Sequence, residues 1–440
     1  MSRRHEDFDE FCDPENPRTI KYEDVVDAAD RIRPYILKTP CFPSHHQKDF
    51  SIHIYYKCEF LQKSGSFKGR GASNTLQLLP LDKKKLGIVA ASIGNEAWAL
   101  CYHAFKLNIP TIIVMPNNVP LDKILKCHSL GAKVILQGSN LMESQRYARA
   151  IARDKGLTYI NGRDHPHMLA GFGTVGLEIL EQVPFVDAVI VPVGGGGLIS
   201  AIARVIKHVK PTCLVYGVQV DNMPVFFKSL EIDDLLTVPM QSTMADAIAV
   251  TNAGVNGFHN ARPLVDEMWQ LLVNEDWVAR SILHLMEMER FVVEGAGACP
   301  LAAIIGNLVP ELKLKNVVCV LSGGNIDNLL LSRCLERGRA AEGRLVRFKV
   351  GTKDNTPAIA HLCKLLVNGG FNIIQHFHEH IWIDNEVYNV EIRVVCETRG
   401  LDHALELKRI IERNYPCTSV FETEPLNDKR TCPCYVRKIV

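Results

Sequence analysis

The sequence predicts an α/β protein: a large region of two parallel sheets covered by helices, followed by a smaller α+β unit. Three observations carry that prediction. Short apolar runs alternate with amphipathic stretches from about Ile88 onward, three of those runs end in glycine loops, and the pattern breaks near Leu335 to Arg344 before a different alternation begins. The 440 residues are enough for two or three domains, and 47% hydrophobic with 22% charged residues is an ordinary globular composition.

The strands of the first region are read from Gly87–Ala91, Thr111–Met115, Lys133–Leu136, Asp187–Val193 and Val317–Leu321. Between them lie helical periodicities; in Glu96–Leu107, residues Ala97, Leu100, Cys101, Ala104 and Leu107 fall on one stripe. Such alternation implies parallel sheets, whose ligands sit at the carboxyl ends of the strands. At three of those ends stand Ser92-Ile-Gly-Asn95, Gly194-Gly-Gly-Gly197 and Ser322-Gly-Gly-Asn325. The glycine quartet exposes consecutive backbone N–H groups at the start of a helix over Leu198–His208, whose dipole favours an anion, so it reads as a phosphate cup. Upstream, Ser64–Ala72 sets Lys68 among small residues with little competing charge, a setting for a carbonyl-trapping amine.

The charged segment ERGRAAEGR, residues 336–344, reads as a linker. Beyond it Arg344–Val350 reads as a strand, Pro357–Asn368 as a helix, Ile373–Ile383 and Tyr388–Glu397 as strands, Asp402–Asn414 as a helix and Ser419–Glu422 as a last strand. Together they make βαββαβ, a ferredoxin-like unit.

A net charge of +1, with no outstanding Lys/Arg run, offers no field for nucleic acid or an anionic membrane and suits small neutral or zwitterionic ligands. Val183–Ile206 is the most membrane-like stretch, but Pro184, Asp187, Pro192 and the glycine quartet make it strand, loop and helix. The first fifteen residues hold six acids and no apolar run, unlike a secretory signal or transit peptide, so the expected compartment is the cytoplasm. The fourteen cysteines are scattered, apart from Cys432-Pro-Cys434, and read as free thiols rather than a disulfide framework.

A reactive lysine, a phosphate cup, an Asn on one glycine loop and a Ser on another are the parts needed to hold pyridoxal 5'-phosphate. Lys68 would trap the aldehyde, Gly194, Gly195, Gly196 and Gly197 the phosphate, Asn95 the ring hydroxyl and Ser322 the ring nitrogen. A neutral Ser leaves that nitrogen unprotonated and the cofactor a weaker electron sink, which suits β-elimination better than transamination.

The chain resembles the threonine dehydratase and serine racemase family of fold-type II pyridoxal-phosphate enzymes, whose architecture is like that of the tryptophan synthase β subunit. The resemblance is carried by Tyr56–Gln62 leading into Ser64–Ala72, Asp164-His-Pro166 with Ala170–Thr174, Pro192–Leu198, Thr243-Met-Ala-Asp246, Val293-Glu294 with Ala296–Ala298, and Ser322–Asn325. It implies a catalytic domain over 19–335 behind a disordered segment 1–18, and a regulatory domain over 345–440 that resembles the ACT domain of some threonine dehydratases. It also implies cofactor contacts from Phe67, Leu198 and Glu294, substrate-carboxylate binding by the backbone of Ser92, Ile93, Gly94 and Asn95, and a homodimer or homotetramer.

The activity implied is an L-threonine/L-serine ammonia-lyase giving 2-oxobutanoate or pyruvate, with Lys68 taking the Cα proton. Racemases of the family carry a serine before Gly-Asn; Ile93 stands there and shuttles no proton, which favours elimination over the alternative of racemisation. Where racemases place two carboxylates on a divalent cation this chain has Gln219 and Val225, so no metal is expected there. Four departures from the family pattern are Glu96 for a His, Phe172 for a Gln, Ala247 for a Gly and Gly295 for a Pro. Glu96 beside the substrate loop leaves open a third alternative, a regulator that binds cofactor without turnover. In the second unit Thr356 reads as the N-cap of a helix with Pro357 at its first position, and Ala358 replaces the glycine on which effector sites of the family rely. His376, His378 and His380 share one strand face, but the outer pair stands about 13 Å apart, too far for one tetrahedral metal.

Overall fold

The computed structural model describes residues 9–46, 50–264, 271–381, 388–416 and 418–422. The chain divides into two compact units, residues 1–330 and 331–440. In chain order the strands of the first unit are β1 (Cys41–Pro43), β2 (His53–Cys58), β3 (Ile88–Ala91), β4 (Thr111–Met115), β5 (Lys133–Leu136), β6 (Thr158–Tyr159), β7 (Ala188–Pro192), β8 (Leu214–Val220), β9 (Leu271–Val273) and β10 (Asn316–Leu321). They form two sheets, β5-β4-β3-β6 and β1-β2-β10-β7-β8-β9. Every pairing is parallel except β1 with β2.

The central strands β3, β7 and β10 are apolar because helices cover both faces, and their side chains are buried throughout or nearly so. Each then delivers a glycine-bearing loop to the carboxyl edge, where the helices Asn95–Lys106 and Gly197–Val209 begin directly after β3 and β7.

The helix Lys68–Leu78 is fixed from behind by a buried ion cluster. Arg70 donates Nε and Nη2 to the two Glu59 oxygens at 2.8 and 2.7 Å and Nη1 to Glu178 at 2.7 Å, while Lys57 Nζ meets the other Glu178 oxygen at 2.5 Å. Two cations against two carboxylates leave the cluster neutral, the condition under which such charges are tolerated inside a protein.

Residues 9–18 correct the expectation of a disordered segment over 1–18, of which 1–8 lie outside the described residues. The buried Asn256 side chain donates to the Phe11 carbonyl at 2.6 Å and accepts the Arg18 N–H at 2.6 Å, so an acid-rich stretch is ordered by satisfying a buried amide. The Phe11 ring lies 4.4 Å from that of His165.

The second unit is a βαββαβ fold. Its strands β11 (Leu345–Lys353), β12 (Asn372–Glu379), β13 (Asn389–Glu397) and β14 (Ser419–Phe421) form an antiparallel sheet in the order β12-β13-β11-β14, with helices Thr356–Asn368 and Leu401–Asn414. Val346, Phe348, Val350, Ile392, Val394 and Leu407 lie in its core.

Two local expectations are corrected in this region. Residues 336–341 of the supposed linker belong to the helix Asn328–Ala341, and Arg339 in it pairs with Glu397 of β13; the Arg-Ala-Ala content favours helix over coil. Asn355, not Thr356, caps the next helix, its Oδ1 accepting the Ala358 N–H at 3.0 Å, because an Asn one residue earlier reaches the third helical N–H.

The ring centroids of His376 and His378 are 5.6 Å apart, those of His378 and His380 6.2 Å, and His380 Nδ1 lies 3.2 Å from Asp354. Among the described residues no group of three or more His, Cys, Asp or Glu is arranged to hold a metal ion, and no helix is long and apolar enough to cross a membrane. Cys432-Pro-Cys434 lies outside the described residues.

Candidate active site

Lys68 opens its helix, and its amine donates to the Gly162 carbonyl at 2.9 Å. Burial pushes the amine down to about 8; Glu96 works against that, Arg163 adds to it, and Asp164 again opposes it. The amine also lies 5.0 Å from the Phe172 ring centroid and 5.4 Å from that of Phe67, two rings that meet edge to face. The Phe67 N–H donates to the Ser322 carbonyl at 3.0 Å, and Ser66 bridges to Gly323, so the lysine loop and the Ser322–Asn325 loop are stitched together.

Glu96 sits on the other side of Gly162. Its Oε1 accepts the Gly162 N–H at 2.9 Å, and a Cβ at residue 162 would stand 2.4 Å from Glu96 Cγ, so a larger residue there would displace the Glu96 side chain. The carboxylate beside the substrate loop is thus already held by a backbone donor. Burial raises its proton affinity, and Lys68 lowers it.

In the Gly194–Gly197 cup, Gly196 has φ +89°, and a Cβ on it would come within 2.0 Å of the Phe226 ring. No L side chain fits that position, and the helix Gly197–Val209 starts directly behind it with a buried Leu198. Arg163, the neighbour of Gly162, lies against Gly195: its Cδ would be 2.8 Å from a Cβ there. The dipeptide Gly162-Arg163 therefore joins the lysine amine to the cup. Asp164 beside it accepts the N–H groups of Asn256 and Gly257 at 3.0 and 2.8 Å, and burial raises its carboxyl to about 6.

Asn95 and Glu294 meet across the mouth, Asn95 Nδ2 donating to Glu294 Oε1 at 2.7 Å. Asn325 Nδ2 donates to Asn95 Oδ1 at 2.7 Å and to the Ser64 carbonyl at 2.9 Å, which closes a chain from the lysine loop to Glu294. Burial pushes the Glu294 carboxyl up to about 8, Asp246 raises it further, and Asn95 lowers it. Burial thus favours its protonated form.

In the Ser92–Asn95 loop the Ser92 N–H is already spent on the Val114 carbonyl at 3.3 Å, and Ser92 Oγ accepts the N–H groups of Gly94 and Ala97 at 3.4 and 3.3 Å. Ile93 and Asn95 carry the backbone donors that remain, at a helix start where N–H groups lack intrahelical partners.

All the sequence-predicted positions thus fall at the carboxyl edge. Sequence reasoning missed Gly162, Arg163 and Asn325 as parts of the same place; the only signal was that the first two precede Asp164-His-Pro166 and the third ends a glycine loop. The arrangement suits a phosphorylated aldehyde: a primary amine of lowered basicity, a glycine cup at a helix start, and two buried groups without hydrogen-bond partners among the described residues, Ser66 Oγ and Arg163 Nε. The residues fit pyridoxal phosphate, with Lys68 and the cup as its two attachment points.

A site of this kind on two parallel sheets defines a cofactor-dependent enzyme of the fold-type II class. The chain belongs to the family of pyridoxal-phosphate dependent enzymes, whose model matches residues 32–323. It is 38% identical over 389 residues to the L-threonine ammonia-lyase of Geobacter sulfurreducens, covering 88% of this chain and 96% of that one. It is also 38% identical over 393 residues to the L-threonine ammonia-lyase of Thermotoga maritima, covering 89% and 97%. Among solved structures it is similar to the processed form of threonine deaminase isoform 2 from Solanum lycopersicum, with a TM-score of 0.67 and 29% identity over 73% of this chain and 95% of that one. Maize serine racemase matches with a TM-score of 0.67 and 29% identity over 73% and 98%.

Proposed function

We propose that the protein is an ammonia-lyase acting on L-threonine and L-serine, releasing ammonia with 2-oxobutanoate or pyruvate. The observation that carries this reading is the Lys68 amine, buried, lowered to about 8 and joined through Gly162-Arg163 to the glycine cup. Similarity, at 38% identity, to two L-threonine ammonia-lyases over nearly nine-tenths of the chain supports the substrate class.

Pyridoxal phosphate, when bound, supplies an electron sink for the Cα–H bond of an amino acid. Lys68 would hold its aldehyde carbon, Gly194–Gly197 and the N–H of Leu198 its phosphate, Asn95 its ring hydroxyl and Ser322 its ring nitrogen, with Phe67 and Glu294 alongside. The N–H groups of Ile93 and Asn95 orient the substrate carboxylate. Once the substrate amine has taken its place on the aldehyde carbon, Lys68 Nζ would take the Cα proton as a neutral amine and the β-hydroxyl would leave with a proton as water; one water is then taken up as the unsaturated amine released hydrolyses to keto acid and ammonia. Glu294 fixes the Asn95 amide by accepting its Nδ2–H.

Ile93 carries no proton, so the opposite face of the reacting carbon lacks an acid or base from this loop, which favours elimination over racemisation. The bond from Glu96 to Gly162 turns its carboxylate to the backbone and supports turnover over a silent regulator. The ferredoxin-like unit is read as an ACT-like regulatory domain, and the whole as a dimer or tetramer. Purified protein incubated with L-threonine and with L-serine, with keto acid and D-serine assayed together, tests the reading. Keto acid without D-serine supports it; D-serine as the main product, or neither product from cofactor-loaded protein, contradicts it.

A further inference from the structure

Arg163 is an unusual resident for this site. Its aliphatic stem lies against Gly195, with Cδ, Cγ and Nε at 2.8, 3.1 and 3.4 Å from the position of a Cβ on that glycine. Its Nε is buried and has no hydrogen-bond partner among the described residues. Its Nη2 reaches Asn252 Oδ1 only at 3.5 Å, the outer limit of a hydrogen bond. The two neighbouring carboxylates are engaged elsewhere, Asp164 by the N–H groups of Asn256 and Gly257 and Glu96 by the N–H of Gly162. A guanidinium placed at an anion cup, with a desolvated donor and no carboxylate paired to it among the described residues, is matched by an anion.

We infer that Arg163 is a ligand of the cofactor phosphate, contributing a full positive charge to a cup otherwise made of neutral backbone N–H groups. The inference rests on the assignment of Gly194–Gly197 as the phosphate site. A cup of glycine N–H groups and one helix start carries only partial charges, whereas a phosphate dianion carries two negative ones. The planar fork of arginine matches phosphate oxygens, and Nε is the guanidinium nitrogen nearest the position of a Cβ on Gly195. Arg163 also follows Gly162, the residue that holds the lysine amine, so phosphate binding at Arg163 would fix the backbone that positions Lys68.

The test compares two ligands that differ only in the phosphate, using full-length protein stripped of cofactor. Affinities for pyridoxal phosphate and for pyridoxal are measured by equilibrium dialysis in the wild type, Arg163→Met and Arg163→Lys, with circular dichroism as the check on folding. The expected result is that Arg163→Met weakens pyridoxal phosphate about 10- to 100-fold and leaves pyridoxal unchanged, with Arg163→Lys in between. Equal weakening of both ligands assigns Arg163 a structural role and overturns the inference, as does unchanged binding of pyridoxal phosphate. A wild-type protein that binds neither ligand overturns the cofactor assignment itself and this inference with it.

Discussion

Glu96 and Lys68 grip the same glycine from opposite ends: the Glu96 carboxylate accepts the Gly162 N–H at 2.9 Å, and the Lys68 amine donates to the Gly162 carbonyl at 2.9 Å. The acid that looked like an obstacle to substrate binding is thereby a positioning residue for the amine.

That arrangement gives a pH prediction with a definite sign. A negative Glu96 favours the protonated amine, so Glu96→Gln, which keeps an acceptor for Gly162 but removes the charge, makes Lys68 lose its proton at lower pH. The acid limb of the kcat profile, which reports the Lys68 amine once the substrate amine has replaced it on the cofactor, moves to lower pH in the variant. A profile that stays in place assigns Glu96 a purely structural role.

Arg70, two residues after Lys68, holds the lysine-bearing helix through Glu59 and Glu178. Arg70→Ala leaves Glu59 a buried carboxylate with only a hydroxyl, an amide and a distant ammonium around it, so unfolding in urea should show a loss of about 3–5 kcal/mol. A loss under about 1 kcal/mol would mean that the cluster is hydrated and adds little.

The segment 9–18 packs on residues that flank Gly162, since Phe11 lies on His165 and Asp9 Oδ2 accepts from Asn161 Nδ2 at 3.3 Å. Phe11→Ala is expected to lower thermal stability by about 1–3 kcal/mol and to reduce kcat more than it raises KM. Unchanged kcat would separate this segment from the site.

Ile93 is 37% exposed, and under the proposed function it takes the place of a proton carrier on the second face. Ile93→Ser is expected to produce measurable D-serine from L-serine while keto-acid release falls. Keto acid alone from the variant would show that a hydroxyl at this loop is not enough.

The layout of the fold was legible because β3, β4, β5, β7 and β10 are apolar runs bounded by turns, each found within a residue or two of its expected place. Lys68 and the glycine quartet stood out for a different reason, since few other residue types can do the chemistry proposed for them. What escaped was pairing at a distance. Nothing in the order of residues says that Gly162 meets a lysine 94 positions earlier, or that Asn95 meets Glu294, 199 positions later. The order of residues 9–18 escaped likewise, because it depends on the buried Asn256 amide rather than on their own composition.

The account turns on Lys68, and the most direct measurement is to reduce the cofactor-loaded protein with borohydride, digest it and locate the pyridoxyl mass on a peptide. The account predicts that mass on Lys68 within Ser64–Ala72, with its loss in Lys68→Ala accompanied by loss of keto-acid formation. The label on any other lysine, or a Lys68→Ala variant that still traps the cofactor and releases keto acid, would contradict it.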